Sequence, residues 1–245
     1  MKIVLLFILL NFTAIQKSLA QKITCGSGEY LVTGHFRKAY IKSDGTSVKA
    51  THVVTHCKKL TSGYDFNKII KNGLPTEWPH KNEKSQKWSV EEINRLIEAI
   101  EALPDYLKSI YLNGIYILQK SKDFPNPATS SSNGEIVLYD EAFAKNRNLS
   151  QIVTHELAHQ LYRKMSESEN LDYRMAAGWH TEVDGRKIYI LPREKGYIEP
   201  DGANSAEEDY ANNLEYFIHN SDKLKKISPK IYDWFVKKYP NKLNR

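Results

Sequence analysis

Apolar and polar residues alternate along Tyr30 to Ile41 and again along Ser47 to His56. A period of two puts every second side chain on one face of a strand. Ser43-Asp44-Gly45-Thr46 between the runs is a tight-turn sequence, so the two runs predict a β-hairpin. From Ser89 the period becomes helical. Ser89 is an N-cap with Glu92 as its reciprocal partner, Ile93, Leu96, Ile97 and Ile100 form one apolar stripe, and Pro104 closes the element. Ser109 to Leu112, Ile115 to Leu118 and Glu135 to Tyr139 read as strands, with a polar loop from Phe124 through Ser132 before the last of these. A second helix starts at Asn148-Leu149-Ser150 and buries Ile152, Val153, Leu157, Ala158 and Leu161. A third, capped by Asn204 or Ser205, turns Tyr210, Ala211, Leu214, Phe217 and Ile218 to a core. A fourth opens at Ser228-Pro229 and buries Ile231, Trp234 and Phe235. The connection from Met165 to Gly202 reads as a long loop carrying Trp179, His180, Tyr189 and Tyr197, expected to build a pocket. The whole predicts an α+β fold.

The first twenty residues stand apart from this pattern. Lys2 makes a short basic start, Ile3 to Ile15 is almost wholly apolar, and Ser18-Leu19-Ala20 is a small-x-small cleavage site. The run is short of the ~20 residues of a membrane span, so residues 1–20 read as a signal peptide and the chain as exported, to periplasm or medium if bacterial. No later run is long and apolar enough to cross a bilayer. Residues 21–62 form a small β module, residues 63–87, with Gly73, Pro75, Pro79 and a polar stretch, a linker, and residues 88–245 the main domain. Loss of Lys2 and Lys17 with the leader lowers the formal charge from +6 to +4, an ordinary solubility margin and no nucleic-acid footprint. Cys25 and Cys57 are the only cysteines; an even pair in an exported chain reads as one disulfide closing the small module, with two free thiols as the alternative.

The candidate chemistry lies in the second helix. Thr154-His155-Glu156-Leu157-Ala158-His159-Gln160 contains H-E-x-x-H. Residues four apart project from one face of a helix, so His155 and His159 can hold one metal ion while Glu156 stands beside it. Two imidazoles and a carboxylate suit Zn²⁺ with a fourth position left to water. The metal lowers that water's pKa towards about 7, and a glutamate base takes its proton as it attacks a carbonyl. A third histidine at the spacing H-E-x-x-H-x-x-G-x-x-H is absent, because Tyr162 stands at the glycine position and Met165 at the histidine position. A carboxylate on the third helix remains, from Glu207, Glu208 or Asp209. Glu208 leads because Asn212, one turn on, can hold a ligating histidine's second nitrogen; Glu207 comes next.

Leu149 to Gln160 followed by Asn204 to Phe217 resembles the gluzincin peptidases of the anthrax-lethal-factor-like group, in which the motif helix is followed by an A-E-x-F/Y-A-E-x-F helix. Here that segment reads Glu207-Glu208-Asp209-Tyr210-Ala211-Asn212-Asn213-Leu214. The resemblance spans roughly residues 108–235. It implies a zincin-like domain, His155, His159 and Glu208 as zinc ligands, and Glu156 as general base in hydrolysis of a peptide or protein substrate. It also implies that the strand Glu135 to Tyr139 forms the sheet edge where an extended peptide pairs. Two departures stand out. Asn212 replaces the family's acid, and Asp201 falls where the family carries its transition-state tyrosine, leaving Tyr197 or His180 for that role. The run G-H-x-R-x-x-Y-x-x-x-D-G-T-x-V at residues 34–48 is similar to a short basic module of bacterial exported and phage-associated proteins, which suggests attachment to the cell envelope or a spacer role. The rival readings are a cell-wall peptide amidase using the same metal chemistry and a non-catalytic binding module on the same scaffold.

Overall fold

The computed structural model describes residues 24–41, 46–76, 78–80, 82–119, 126–184, 187–191, 193 and 196–240. The expected signal peptide over residues 1–20 and most of the hairpin turn at residues 43–46 lie outside them.

The alternating N-terminal runs form one long antiparallel hairpin in three steps. β1 (Glu29–Val32) pairs with β6 (His56–Lys59), β2 (His35–Arg37) with β5 (Thr51–Val53), and β3 (Tyr40–Ile41) with β4 (Ser47–Val48). Cys25 and Cys57 form the expected disulfide at the hairpin base. Among the hairpin's described residues Tyr30 alone is in the buried core, with Val32 and Leu60 packed partly buried against it at the hairpin base.

Residues 63–87, expected as a linker, instead belong to the body of the protein. They form α1 (Phe66–Ile69), β7 (Ile70–Lys71) and β8 (Lys84–Ser85), and both strands pair with β9 (Gly114–Gln119). Phe66 and Ile69, one helical turn apart, are buried. Strands of two residues are too short for periodicity to register. α2 (Val90–Glu101) follows with the predicted capping box, Ser89 Oγ accepting from Glu92 N and the Glu92 carboxylate accepting from Ser89 N. α3 (Asp105–Lys108) comes next, and Ser109 to Leu112, expected as a strand, is instead irregular with Ile110 and Leu112 buried.

The expected polar loop after β9 contains β10 (Ala128–Ser130), antiparallel to β11 (Glu135–Tyr139). β11 lies parallel to β9, giving the order β10-β11-β9-β7 with β8 also on β9. β11 is therefore interior, and the edge beside the helices is β10; this corrects the expectation that Glu135 to Tyr139 forms the edge. Both faces of the central strands are covered. Ile115, Ile117, Ile136 and Leu138 join the helical core, while Tyr116, Leu118, Val137 and Tyr139 pack on the other face with Trp78. Buried Glu83 fastens that second face, accepting from Tyr139 Oη at 3.0 Å and Trp78 Nε1 at 2.9 Å.

The helical layer is built on α4 (Leu149–Arg163) and α6 (Ala206–His219). Between them stand α5 (Glu167–Ala177) and the hairpin of β12 (His180–Asp184) with β13 (Lys187–Leu191), where a loop-rich connection was expected. Gly178, at φ 84°, stops α5, and Trp179 N bonds back to Arg174 O, turning the Trp179 ring into the core. α7 (Ser221–Ile227) and α8 (Pro229–Lys238) close the fold, with Ile231 and Phe235 buried and Trp234 partly so. The architecture is α+β, and among the described residues no helix is long and apolar enough to cross a membrane.

Candidate metal centre

Local sequence fixes where α4 begins: the Asn148 side chain accepts from Ser150 N and Gln151 N. Val153, Leu157 and Ala158 then face the core, which leaves His155, Glu156 and His159 along a cleft of about 510 Å³. α6 packs against α4 in the opposite sense. His219 Nε2 meets Thr154 Oγ1 at 2.9 Å near one end of the contact, and Glu207 meets His159 near the other. Ser205 Oγ accepts from Glu208 N and starts α6 as expected.

The inner nitrogens converge. His155 Nε2 and His159 Nε2 are 3.2 Å apart, and Glu208 Oε2 is 3.5 Å from each. Ligand bonds of about 2.0–2.1 Å in a tetrahedron separate the ligand atoms by about 3.3–3.4 Å. Three of the four corners of such a polyhedron are thus in place, and these three residues form a group able to hold a metal ion. The outer nitrogens face carboxylates, His159 Nδ1 at 2.9 Å from Glu207 Oε1 and His155 Nδ1 at 3.5 Å from Glu215 Oε2. With each Nδ1 turned to a carboxylate, the two Nε2 atoms face one another across 3.2 Å, a gap that a shared proton or a metal ion can bridge.

The three consecutive acids of α6 point in three directions, as side chains 100° apart must. Glu208 faces the histidine pair. Glu207 holds His159 Nδ1 and accepts from Arg163 Nη2 at 2.7 Å. Asp209 turns away from the cleft and is fully buried, where its carboxylate accepts from Trp179 Nε1 (2.9 Å), Tyr173 Oη (3.3 Å), Arg193 Nη2 (2.6 Å) and Asn213 Nδ2 (2.8 Å). Asn212, expected to hold a histidine, instead donates to Asp201 Oδ1 at 2.6 Å. Glu215 went unremarked in the sequence, although it lies seven residues after Glu208, two turns along the same face.

Electrostatics favour a cation here. Burial works against charge on His155, yet hydrogen bonds to Glu208 and Glu215 and the Glu156 charge outweigh it and raise its pKa to about 10. Burial likewise resists charge on Glu208 and Glu207. Hydrogen bonding to His155 for the first and to His159 for the second, with the Arg163 charge on both, brings each below the ordinary carboxylate value. Glu156 is different. It is only 5% exposed, its Oε2 is buried without a hydrogen-bond partner, and burial pushes its pKa up against the pull of both histidines. A carboxylate with one free oxygen and raised basicity beside a metal-ligand group is suited to taking and returning a proton.

The cleft is lined by β10 and its approach (Asn126 to Ser130), the start of α4 (Asn146 to Ile152) and the α6 side (Asp201, Asn204, Asn212, Glu215). Gln160 Nε2 donates to Ser131 O at 2.7 Å and Arg163 Nη2 to Ser130 O at 3.2 Å, pinning the edge strand to the motif helix. Neither residue expected to stabilise a transition state lines the cleft. Tyr197 Oη donates to Arg193 O at 3.0 Å and its ring packs on Trp179 and the Arg193 guanidinium, while His180 is exposed at the start of β12. Among the described residues of the Met165 to Gly202 connection, Asp201 alone reaches the lining. Comparison with protein-family models, curated proteins and solved structures found no match to this chain.

Proposed function

We propose that the protein is an exported zinc metallopeptidase of the gluzincin type, with His155, His159 and Glu208 as metal ligands and Glu156 as general base on a zincin-like domain. The observation that carries this reading is the triangle of two imidazole nitrogens and one carboxylate oxygen, 3.2–3.5 Å on a side, with the partnerless Glu156 oxygen in the same cleft. Zinc bound there would supply Lewis acidity, lowering the pKa of a water ligand and polarising a carbonyl. Glu156 takes the proton from the attacking water and delivers it to the leaving amine. β10, the edge strand beside the cleft among the described residues, receives the substrate as an added strand alongside Ala128, its Ser130 carbonyl being held by Arg163. Asp201 is the lining residue nearest in sequence to the expected tyrosine, and a carboxylate there would not stabilise an oxyanion.

A second reading, hydrolysis of cell-wall peptide amides by the same groups, is favoured by the polar lining, which includes Asn146, Gln151 and Asn204. The hairpin attaches the enzyme to an anionic envelope surface. Residues 24–62 carry six Lys or Arg against two acids, whereas residues 63–245 carry 26 against 27. Export rests on the leader-like sequence and accords with the disulfide.

The test is a panel of proteins and cell-wall peptides incubated with the zinc-supplied protein. Cleavage that is removed by chelation, restored by zinc and lost in Glu156→Gln supports the peptidase reading, and the substrate cleaved fastest decides between the two substrate classes. No turnover by zinc-loaded protein on any substrate would overturn the enzyme reading in favour of an envelope-binding module.

A further inference from the structure

A histidine that binds metal through Nε2 must keep Nδ1 protonated, and an acceptor on Nδ1 fixes both the tautomer and the plane of the ring. In the family the chain resembles, an acid stands one turn after the ligand glutamate; here that position is Asn212, and its side chain is committed to Asp201. Glu207, the residue just before the ligand, meets His159 instead. Its Oε1 lies 2.9 Å from His159 Nδ1 and also accepts from Arg163 Nη2 at 2.7 Å. His159 and Arg163 are one turn apart on α4, so a single carboxylate oxygen on α6 spans both. The guanidinium goes further, with Nη2 reaching Ser130 O at 3.2 Å and Nη1 reaching Ser130 Oγ at 3.3 Å on the edge strand.

We propose that Glu207 is the positioning residue for His159, clamped by Arg163, and that Ser130–Arg163–Glu207–His159 forms one hydrogen-bonded run joining the cleft's edge strand to the metal ligand. The clamp has two effects. It aims the lone pair of His159 Nε2 at the point where His155 Nε2 and Glu208 Oε2 converge. It also neutralises Glu207 and holds it away from that point, so that two adjacent glutamates do not compete for one coordination position. His155 is held less closely, its Nδ1 lying 3.5 Å from Glu215 Oε2. Glu207 is therefore the more important of the two carboxylates for metal affinity. The inference rests on the metal-centre reading above.

The experiment measures zinc affinity of the full protein by competition with a chromophoric chelator, with the melting temperature of each metal-free form taken in parallel. Glu207→Gln keeps the side-chain shape but can no longer act as a charged acceptor; a loss of about 10–100-fold in affinity is expected, without loss of the metal-free fold. Glu207→Asp should recover part of it. Arg163→Met should weaken zinc binding on its own and add nothing in the Glu207→Gln background, because both changes cut the same run. Asn212→Ala should bind zinc as the parent does. In cobalt-loaded protein, Glu207→Gln should shift the visible ligand-field bands and Asn212→Ala should not. Parent-like affinity and bands in Glu207→Gln, or an equal loss in Asn212→Ala, would overturn the proposal while leaving the metal centre intact. A parent protein that binds neither zinc nor cobalt would overturn both.

Discussion

The helix pair α4–α6 and the N-terminal hairpin are ordered by different means. In the helix pair Leu157, Ala158, Tyr210, Ala211 and Leu214 have no solvent exposure, and polar groups between the helices meet one another, as Thr154 meets His219 and Glu207 meets His159. In the hairpin Phe36 is 56% and Val54 74% exposed, and the strand pairs are two to four residues long. Besides its ladder and Tyr30 in the core, the hairpin is held by the Cys25–Cys57 bond and by a few hydrogen bonds to α2: Thr33 N on Glu98 Oε1 at 3.1 Å, and the Thr61 and Ser62 groups on Glu101. Close packing lets the helix pair hold His155, His159 and Glu208 in a set geometry, as a metal site would need. An arm without a core cannot do this, but it can present a charged surface.

The largest effect should come from the helix pair. Glu156→Gln is expected to lower turnover by about 10²–10⁴-fold with metal content and melting temperature kept, read from kcat and metal analysis on the same preparation. Next is the hairpin's covalent tie. Replacing Cys25 and Cys57 together by serine removes a closure over 32 residues, roughly 3–4 kcal/mol in the chain-entropy account. Limited proteolysis should then cut within residues 24–60 while the metal content is unchanged. Loss of metal in that variant would show that the two regions are not independent.

A smaller effect comes from acid. Burial acts against charge on Glu101, but hydrogen bonds from Ser62 and Thr61 outweigh it and hold its pKa below the ordinary 4.5. A lowered folded value stabilises above the unfolded pKa, and the contribution disappears as pH falls through the folded one. Hairpin proteolysis should therefore stay constant from neutrality to about pH 4.5 and rise below it, and Glu101→Gln should cut at a raised rate that no longer depends on that protonation. The smallest is the cap on the motif helix: Asn148→Ala should cost about 1 kcal/mol, seen as a small fall in melting temperature with metal affinity little changed.

The parts of this molecule legible in the sequence are those encoded locally. The cap at Asn148, the capping box at Ser89 and Glu92, the H-E-x-x-H face and the cysteine pair each need only a few neighbouring residues to be recognised. α5 was illegible because only Tyr173 and Ala177 of its eleven residues are buried, which leaves no apolar stripe. β7, β8 and β10, at two or three residues each, are too short to display alternation. At the site, the sequence left three adjacent acids as candidates for a third metal ligand, and the rotation of α6 relative to α4 turns each toward different partners. That rotation is set by packing around Tyr210 and Leu214 and by the buried Asp209–Arg193 pair, which join residues far apart in the chain. The spacing of Asn212 suits a bond to a histidine, but its side chain donates to Asp201, a residue of the preceding turn that periodicity cannot place.

If His155, His159 and Glu208 hold one metal ion, zinc-supplied protein must carry it, and mass spectrometry of the intact metal-loaded chain counts it. About one zinc per chain in the parent, and none in Glu208→Ala, is the predicted result. A parent chain that retains no zinc, or a Glu208→Ala variant that retains as much as the parent, would contradict it.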